Sequence, residues 1–225
     1  MALVTPRHKV RIRWNELAVR KHCQTTGNQL FICYAEDSIR GRALNGREKV
    51  ALATRSTTKR SRQELPATVE LAIGMKVMVT TNVETDLDVT NGAHGTIVDI
   101  ILHPDETYSE EEKEVVLKNI PLYLLVKLDR TRATLLKGLD EAVIPVEVAA
   151  KSMQIRVVDN DGNQPRRTVK RRQFPVTAAY AFTDYRSQGQ TIPYVIVDIA
   201  TPPTGGLSLF NLYVALSRSS GKSSI

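Results

Sequence analysis

The chain has 225 residues, of which 42% are hydrophobic and 24% are charged, a composition that excludes disorder throughout and suffices for one large domain or two small ones. No run of about 18 apolar residues occurs, so no membrane span is predicted, and the first apolar stretch is too short for a secretory signal. The net charge of +7 and the pI of about 9.5 are compatible with a polyanionic partner.

Cysteines and histidines give no sign of a metal or disulfide site. Cys23 and Cys33 are the only two cysteines, and we expect both to be packed thiols in a reducing compartment. The four histidines are scattered without the spacing of zinc ligands. We therefore predict no metal site.

The first 65 residues alternate predicted strands with helical periodicity. Residues 3–5 form a strand that ends at Pro6, and residues 8–25 form a helix that Gly27 stops. We expect the apolar face of that helix to carry Val10, Trp14, Leu17 and Ala18. Residues 30–35 form a second strand with Cys33 inside.

Two charged stretches follow the second strand. The acidic pair Glu36-Asp37 is assigned no chemistry. Residues 38–62 contain eight Lys and Arg with few apolar anchors, which predicts either an ordered basic surface or a mobile, solvated loop.

From Pro66 onward the sequence indicates a small antiparallel barrel. Residues 70–79 become an alternating strand, and Asn91-Gly92 with Gly95 marks a hairpin that leads into residues 96–102. Residues 105–114 form an acidic loop. The barrel is expected to continue through four further strands, at residues 122–128, 143–148, 152–158 and 166–169.

The last 53 residues return to α/β patterning. Residues 177–185 are rich in small residues and are predicted to be helical, and they run into the polar turn RSQGQT at residues 186–191. Residues 194–200, YVIVDIA, are predicted to be a buried parallel strand. Residues 207–217 form a helix that Ser217 and Arg218 close. Loop, strand, loop and helix in this order indicate α/β architecture.

RSQGQT and, about 25 residues later, YVALSR resemble the fifth and sixth motifs of superfamily-one helicases of the petite-integration-frequency (Pif) and RecD branch. The sequence AYAFTDYRSQGQTI is most similar to that of the Pif-like helicases of eukaryotic genomes and Helitron-type transposons. LVTPRHKVRIRWNELA resembles the fourth motif, and LAIGMKVMV with NGAHGTIVDI resembles the inserted barrel, described as SH3-like. The resemblance covers nearly the whole chain.

The resemblance implies a RecA-like second motor domain of the P-loop NTPase type, incomplete, with an inserted SH3-like small β-barrel. Residues 1–65 would be the first part of the motor domain, residues 66–172 the barrel, and residues 173–225 the second part.

The resemblance also implies a nucleotide site. Arg218 would be the catalytic arginine finger, because its planar fork of donors suits charge on a transferred phosphoryl group. Gln188 and Gly189 would face the phosphates, and Arg7 would reach the nucleotide. The alternatives are that Arg218 is a helix-end arginine interacting with the helix dipole and that Arg7 is solvated.

Residues on the other side of the fifth motif would contact DNA. Tyr185 and Arg186 stand where the family has a histidine-lysine pair. Tyr185 is assigned to DNA because a tyrosine could still stack or donate a hydrogen bond, but the histidine's backbone contact is not transferred to it. Arg186 and Ser187 would meet the strand, or form merely a polar turn. A basic cluster beside the motif would contact phosphates, or protect a sheet edge. The cluster consists of Arg166, Arg167, Lys170, Arg171 and Arg172. The last three are assigned to DNA.

A complete motor also needs a phosphate loop and an acidic pair that holds magnesium. Neither occurs in this sequence; Gly221-Lys222-Ser223 imitates the loop's end, but Leu216 stands where its first glycine is required. We therefore expect the C-terminal part of a motor, a truncated or partial chain, with ATP and Mg²⁺ held mainly by an N-terminal motor half that activity requires.

The implied function is that of an ATP-dependent 5′–3′ DNA helicase that translocates on single-stranded DNA, with this chain not expected to hydrolyse ATP alone. The alternatives are a non-catalytic nucleic-acid-binding remnant and an RNA-directed superfamily-one helicase. Repair, recombination, telomere maintenance and transposition are the family's processes, and nucleus or mitochondrion its compartments; the sequence does not choose among them. No membrane partner is expected.

Overall fold

The computed structural model describes residues 1–58, 64–82, 91–131, 136–158, 162–183, 187, 192–201, 205–206 and 208–221. The elements in these ranges are, in chain order, β1 (Ala2–Val4), α1 (His8–Thr26), β2 (Leu30–Tyr34), β3 (Glu36–Ile39), β4 (Arg42–Ala43), α2 (Gly46–Thr58), β5 (Thr68–Leu71), β6 (Lys76–Val79), β7 (His94–Ile101), β8 (Glu114–Val116), β9 (Tyr123–Leu128), β10 (Val143–Val146), β11 (Ala149–Arg156), β12 (Arg166–Gln173), β13 (Val176–Ala178), β14 (Ala181–Phe182), β15 (Val195–Val197) and α3 (Leu209–Leu216). None of the helices in this described part is long and apolar enough to cross a membrane.

A parallel three-stranded sheet brings the two ends of the chain together. Its order is β14-β1-β15, and β1 pairs in parallel with both neighbours. The strand is buried over its whole length, as expected for a strand covered on both faces. The sheet confirms that the strand after the fifth motif is parallel, and it makes this part of the chain α/β. The predicted burial of that strand is wrong except at Val195, since Tyr194, Ile196 and Ile199 are exposed.

The segment at residues 177–185 was predicted to be helical, and that prediction is wrong where the structure describes it. It forms β13 and β14 instead. Asn15 on α1 fixes the extended backbone: its Oδ1 accepts hydrogen bonds from the N–H groups of Tyr180 and Ala181, at 3.0 and 2.8 Å, and its Nδ2 donates to the Ala181 carbonyl. Tertiary contacts thus override a local preference of small residues for helix.

Helix α1 has the predicted length but buries a different face. It ends at Gly27, whose φ of 76° is the left-handed conformation that glycine adopts without strain. The buried residues are Asn15, Val19 and Cys23, whereas Trp14 of the predicted apolar face is 37% exposed. The polar Asn15 is part of the packed face, which a hydrophobicity pattern does not detect.

The largest core belongs to a five-stranded antiparallel sheet in the order β10-β9-β7-β6-β13. Strands β6 and β7 confirm the predicted pair around Asn91-Gly92. Gly95 is required by close packing rather than by a turn, since a Cβ there would lie 2.4 Å from the Lys127 carbonyl oxygen.

The predicted barrel strands divide between two sheets. Strands β9 and β10 join the five-stranded sheet, but β11 and β12 pair with β3 in a separate sheet of order β11-β12-β3-β4. Among the described strands no sheet closes on itself. The assignment of residues 152–158 and 166–169 to one continuous barrel is therefore not reproduced, because β12 uses its second edge to pair with β3.

A separate three-stranded sheet in the order β5-β2-β8 completes the core. In it, β2 pairs antiparallel with β5 and parallel with β8. Cys33 on β2 is buried as predicted, and burial raises the pKa of its thiol to about 12. The Sγ of Cys33 lies 3.6 Å from Oε1 of Gln173, a fully buried amide that also accepts from the Phe174 N–H. Cys33 is thus a packed, unreactive thiol.

The four-stranded sheet and α2 form a unit that we call the basic module. The buried side of β11 and β12 packs against Leu44 and Leu52 of the α2 region in a separate apolar cluster. Of the two alternatives for residues 38–62, the ordered one holds through residue 58, because this segment supplies β3, β4 and α2.

Glu48 organises the start of α2 and is fully buried. Asn45 and Glu48 form a capping box, in which the Asn45 N–H donates to Glu48 Oε2 at 2.9 Å and the Glu48 N–H donates to Asn45 Oδ1 at 3.0 Å. Arg42 donates two hydrogen bonds, of 2.7 and 2.8 Å, to the Glu48 carboxylate. The Arg42 bonds, then the Asn45 N–H, lower the pKa of Glu48 to about 2.

Replacing Glu48 with glutamine should lower the free energy of unfolding at neutral pH, and the deficit should shrink in acid. The wild-type carboxylate titrates near 2 when folded and near 4.5 when unfolded, so its contribution is complete above about pH 4.5 and is lost as pH falls towards 2. Urea unfolding of both proteins across this range measures the difference. A difference that does not change with pH would contradict the assignment.

Candidate functional site at the edge of the parallel sheet

Strands β1 and β15 run in the same direction and end at the same edge of the parallel sheet. In open α/β sheets this carboxyl edge is where ligands bind. Thr5 and Arg7 follow β1, and Asp198 follows β15 directly. The edge therefore carries a hydroxyl, a guanidinium and a carboxylate.

Arg7 and Asp198 form an ion pair across this edge. Both Nε and Nη2 of Arg7 lie 2.8 Å from Asp198 Oδ2. The same oxygen accepts a 2.5 Å hydrogen bond from Thr5 Oγ1, and Thr5 is fully buried. The Thr5 hydroxyl also accepts from the Arg7 N–H at 3.0 Å. These bonds fix the Arg7 side chain at this edge. Its predicted contact with a nucleotide stays a prediction.

The carboxylate of Asp198 stays ionised at this position. Burial alone would raise its pKa, but hydrogen bonds from Thr5, from the Ala200 N–H and from Arg7 outweigh burial, and the pKa lies below its ordinary value. Sequence reasoning missed Asp198, because the stretch YVIVDIA reads as an apolar strand. The available signal was a lone acidic residue at the carboxyl end of that strand.

Arg218 lies just beyond α3 and folds back on the helix end. Its Nε donates to the Val214 carbonyl at 3.0 Å, and its Nη2 donates to Ser217 Oγ at 2.9 Å. This is the geometry of the helix-end alternative, in which an arginine satisfies the last carbonyls of a helix. A role as arginine finger requires the side chain to leave Val214, so that role stays a prediction.

The backbone connects Arg218 to the fifth motif. The Ile192 N–H donates to the Arg218 carbonyl at 2.7 Å, and Ile192 bridges Ser219 in parallel. Ser187 is fully buried, and its N–H donates to the Thr183 carbonyl. Tyr185, Arg186, Gln188 and Gly189 lie outside the described residues, so their predicted contacts with DNA and phosphate stay predictions.

The predicted basic cluster on β12 is split by its partners on β3. Arg171 makes two 2.8 Å bonds to Asp37 and a third bond to the Leu65 carbonyl, and it is only 7% exposed. A DNA contact from Arg171 would require this pair to open. Arg172 pairs with Glu36 at 2.7 Å on the surface, and Lys170 is exposed.

Glu36 and Asp37 thus have a structural role that the sequence analysis did not assign. The antiparallel register pairs Asp37 with Arg171 and Glu36 with Arg172. Two adjacent acidic residues and two adjacent arginines, both in strand-forming segments, were the signal that could have suggested this pairing.

An open cleft of about 2640 Å³ separates the parallel sheet and α1 from the basic module. Its walls include His8 and Ile12 on α1, Thr183 beyond β14, and Leu44 and Lys49 near α2. Among the described residues, no group of His, Cys, Asp or Glu is arranged to hold a metal ion.

No protein-family model and no curated protein sequence matches the chain. Solved structures do. The Pif1 helicase of Candida albicans matches with a TM-score of 0.58 at 22% identity, over 100% of this chain and 44% of that one. Bacteroides Pif1 bound to single-stranded DNA matches with a TM-score of 0.58 at 18% identity, over 100% and 39%.

A third structure, of two Pif1 helicases coordinating at forked double-stranded DNA, matches with a TM-score of 0.53 at 16% identity, over 100% and 38%. The chain therefore has a mixed α/β fold related to that of Pif-like superfamily-one helicases, which confirms the recognition made from the motifs at the level of the fold. The chain spans less than half the length of these structures.

Proposed function

We propose that this chain is the second motor domain of an ATP-dependent 5′–3′ DNA helicase of the Pif type. In this proposal the parallel sheet belongs to a RecA-like domain, and the five-stranded sheet is the counterpart of the inserted SH3-like barrel. The observation that carries the proposal is the sheet edge where Arg7 and Asp198 meet, in a fold similar to Pif1 helicases over its whole length.

The residues at this edge suit a nucleotide of high negative charge. Asp198 holds the Arg7 side chain in one conformation, and the guanidinium is still partly exposed. Arg7 can therefore orient a phosphate without a further loss of side-chain freedom. Arg218 would stabilise charge on the transferred phosphoryl group after leaving the end of α3. Gln188 and Gly189 would sense the phosphates and pass the change to Arg186 and Ser187 on the strand.

Magnesium and the nucleotide would be held mainly by an N-terminal motor half. The described residues provide cations for phosphate but no carboxylate cluster for Mg²⁺, so we assign the metal to that half. Roles in repair, recombination, telomere maintenance or transposition, and residence in the nucleus or mitochondrion, stay predictions.

Two alternatives make different predictions for the same assay. A non-catalytic nucleic-acid-binding remnant is favoured by the position of Arg218, whose side chain caps its own helix. An RNA-directed helicase differs only in the strand that stimulates turnover.

The test is ATP hydrolysis by a protein in which this chain is joined to the first motor half of a Pif-like helicase. We expect hydrolysis that single-stranded DNA stimulates, and none from the 225-residue chain alone. Binding of DNA without any hydrolysis by the joined protein would favour the remnant. Stimulation by RNA and not by DNA would favour the RNA-directed alternative.

A further inference from the structure

The positive charge of the chain is concentrated in the basic module. Residues 36–65 and 149–173 contain 15 Lys and Arg against six Asp and Glu, a net charge of +9. The whole chain carries +7, so the remaining residues are slightly acidic with −2. The module therefore accounts for the entire basic character of the protein, which the overall charge alone does not reveal.

The acidic residues described in this module are all paired within it. Glu36 pairs with Arg172, Asp37 with Arg171, Glu48 with Arg42 and Glu64 with Arg55. Asp159 and Asp161, the other two, lie outside the described residues. The excess positive charge is therefore carried by other lysines and arginines of the module.

Several cations of the module lie on the outer face of the sheet, among them Arg172 with its partner Glu36. Side chains alternate along β12, so that Val169, Arg171 and Gln173 are buried while Lys170 and Arg172 face solvent. Towards the other end, Arg166 on β12 is opposite Arg156 on β11, and both are exposed. The opposite face of the sheet is covered by the apolar cluster of α2.

The cations of the outer face form a row. Residues two apart on a strand are separated by about 6.7 Å, so Arg166, Lys170 and Arg172 span roughly 20 Å along β12. Polar side chains lie between and beside them: Ser152 and Ser38 are opposite Lys170, and Gln154 is opposite Thr168. A row of cations with interspersed hydroxyl and amide groups suits a regular polyanion.

We infer that the outer face of the β11-β12-β3 sheet binds the sugar-phosphate backbone of a nucleic acid strand without reading its bases. Arg and Lys with Ser, Thr and Gln are the side chains that contact phosphates. The face carries no aromatic side chain at these positions, so it offers neither a stacking platform for bases nor the aromatic anchors typical of protein interfaces. The inference rests on the proposed nucleic-acid-directed function.

This face differs from the cluster predicted by sequence. The buried Arg171 is a structural member of the sheet. Arg156 on β11 was not in the predicted cluster, and Arg166, a member that was not assigned to DNA, becomes a contact. Lys170 is central, since it lies between two serines and makes no ion pair with a described carboxylate.

The experiment measures binding of the 225-residue chain to a fluorescent single-stranded oligonucleotide of mixed sequence, by anisotropy, at several salt concentrations. The variant is Arg166→Gln with Lys170→Gln. The control removes the same charge from exposed lysines elsewhere, Lys21→Gln with Lys127→Gln. Thermal melting of each protein checks that the fold is retained, and Lys170→Arg tests whether charge alone suffices.

Loss of two phosphate contacts should reduce the slope of log K against log salt by about 1.4, because each contact on a single strand contributes about 0.7. If the variant and the wild type bind equally at 1 M salt, this difference in slope corresponds to a loss of affinity of up to roughly 60-fold at 50 mM salt. We expect the control pair to keep most of the wild-type affinity and Lys170→Arg to bind as wild type, with similar affinity for unrelated base sequences.

The inference would be overturned if the variant and the control had equal slopes and affinities. It would also be overturned if the wild-type chain did not bind the oligonucleotide, or bound polyglutamate more tightly. If the outer-face variant binds as tightly as the wild type, the inference fails but the proposed motor function is unaffected. Weakened binding by the variant, with no hydrolysis by the protein joined to the first motor half, supports the inference and removes the motor.

Discussion

Replacing Arg218 with alanine in a protein that contains both motor halves should lower kcat for ATP hydrolysis by about 10³-fold or more, with DNA binding roughly retained. The magnitude is that of an arginine finger whose charge is needed only in the transition state. Arg218→Lys should recover only part of the rate, because a lysine supplies a point charge and not a planar fork of donors. Steady-state hydrolysis with saturating single-stranded DNA measures both.

Ser217→Ala is the control for the position of the side chain. It removes the hydroxyl that accepts from Arg218 Nη2 but keeps the guanidinium, so we expect nearly normal turnover. If Arg218→Ala instead changes only thermal stability, by an amount near the 0.3–1 kcal/mol of a helix-end charge, Arg218 is the cap seen in the structure and has no part in catalysis.

Asp37→Ala should destabilise the chain by about 3 kcal/mol or more, whereas Glu36→Ala should cost at most about 1 kcal/mol. Both residues lie on β3 and both face an arginine of β12. The Asp37 partner Arg171 is buried, so truncation leaves an uncompensated charge in the interior. The Glu36 partner Arg172 is about half exposed, and water replaces the carboxylate.

Chemical denaturation of the two variants provides a matched comparison, because the substitutions are adjacent and remove the same charge. Similar destabilisation of both would contradict the distinction between a structural Arg171 and a surface Arg172. It would also weaken the division of the basic cluster on which the outer-face assignment depends.

The sequence predicted those parts of the fold whose signals are local. Helix α1 ends at Gly27, which adopts the left-handed backbone conformation. The strands on either side of Asn91-Gly92 form the predicted antiparallel pair. The pairing of β12 with β3 was not predictable from these signals, since it depends on complementary charges more than 130 residues apart. The strands β13 and β14 were missed because their partners lie in other elements: β13 pairs with β6, and Asn15 on α1 bonds the backbone at the start of β14.

The candidate site was predicted only in part for the same reason. Arg7 was assigned to a nucleotide through the resemblance of its segment to the fourth helicase motif, and that contact stays a prediction. The structure adds that Arg7 follows β1 at the carboxyl edge of the parallel sheet. Its partner Asp198 is 191 residues away in the chain, and no local pattern connects the two. Sequence order also could not show that Arg218 folds onto Val214.

The parallel sheet has a consequence for the order in which the chain folds. Residues 2–4 are synthesised long before the residues they pair with, 181–182 and 195–197. Contacts of such high sequence separation form late, and the five-stranded sheet, complete at residue 178, can assemble before them. The apolar strand β1 therefore stays unpaired until β14 and β15 have been synthesised, and nascent chains stopped short of β15 would expose it to self-association.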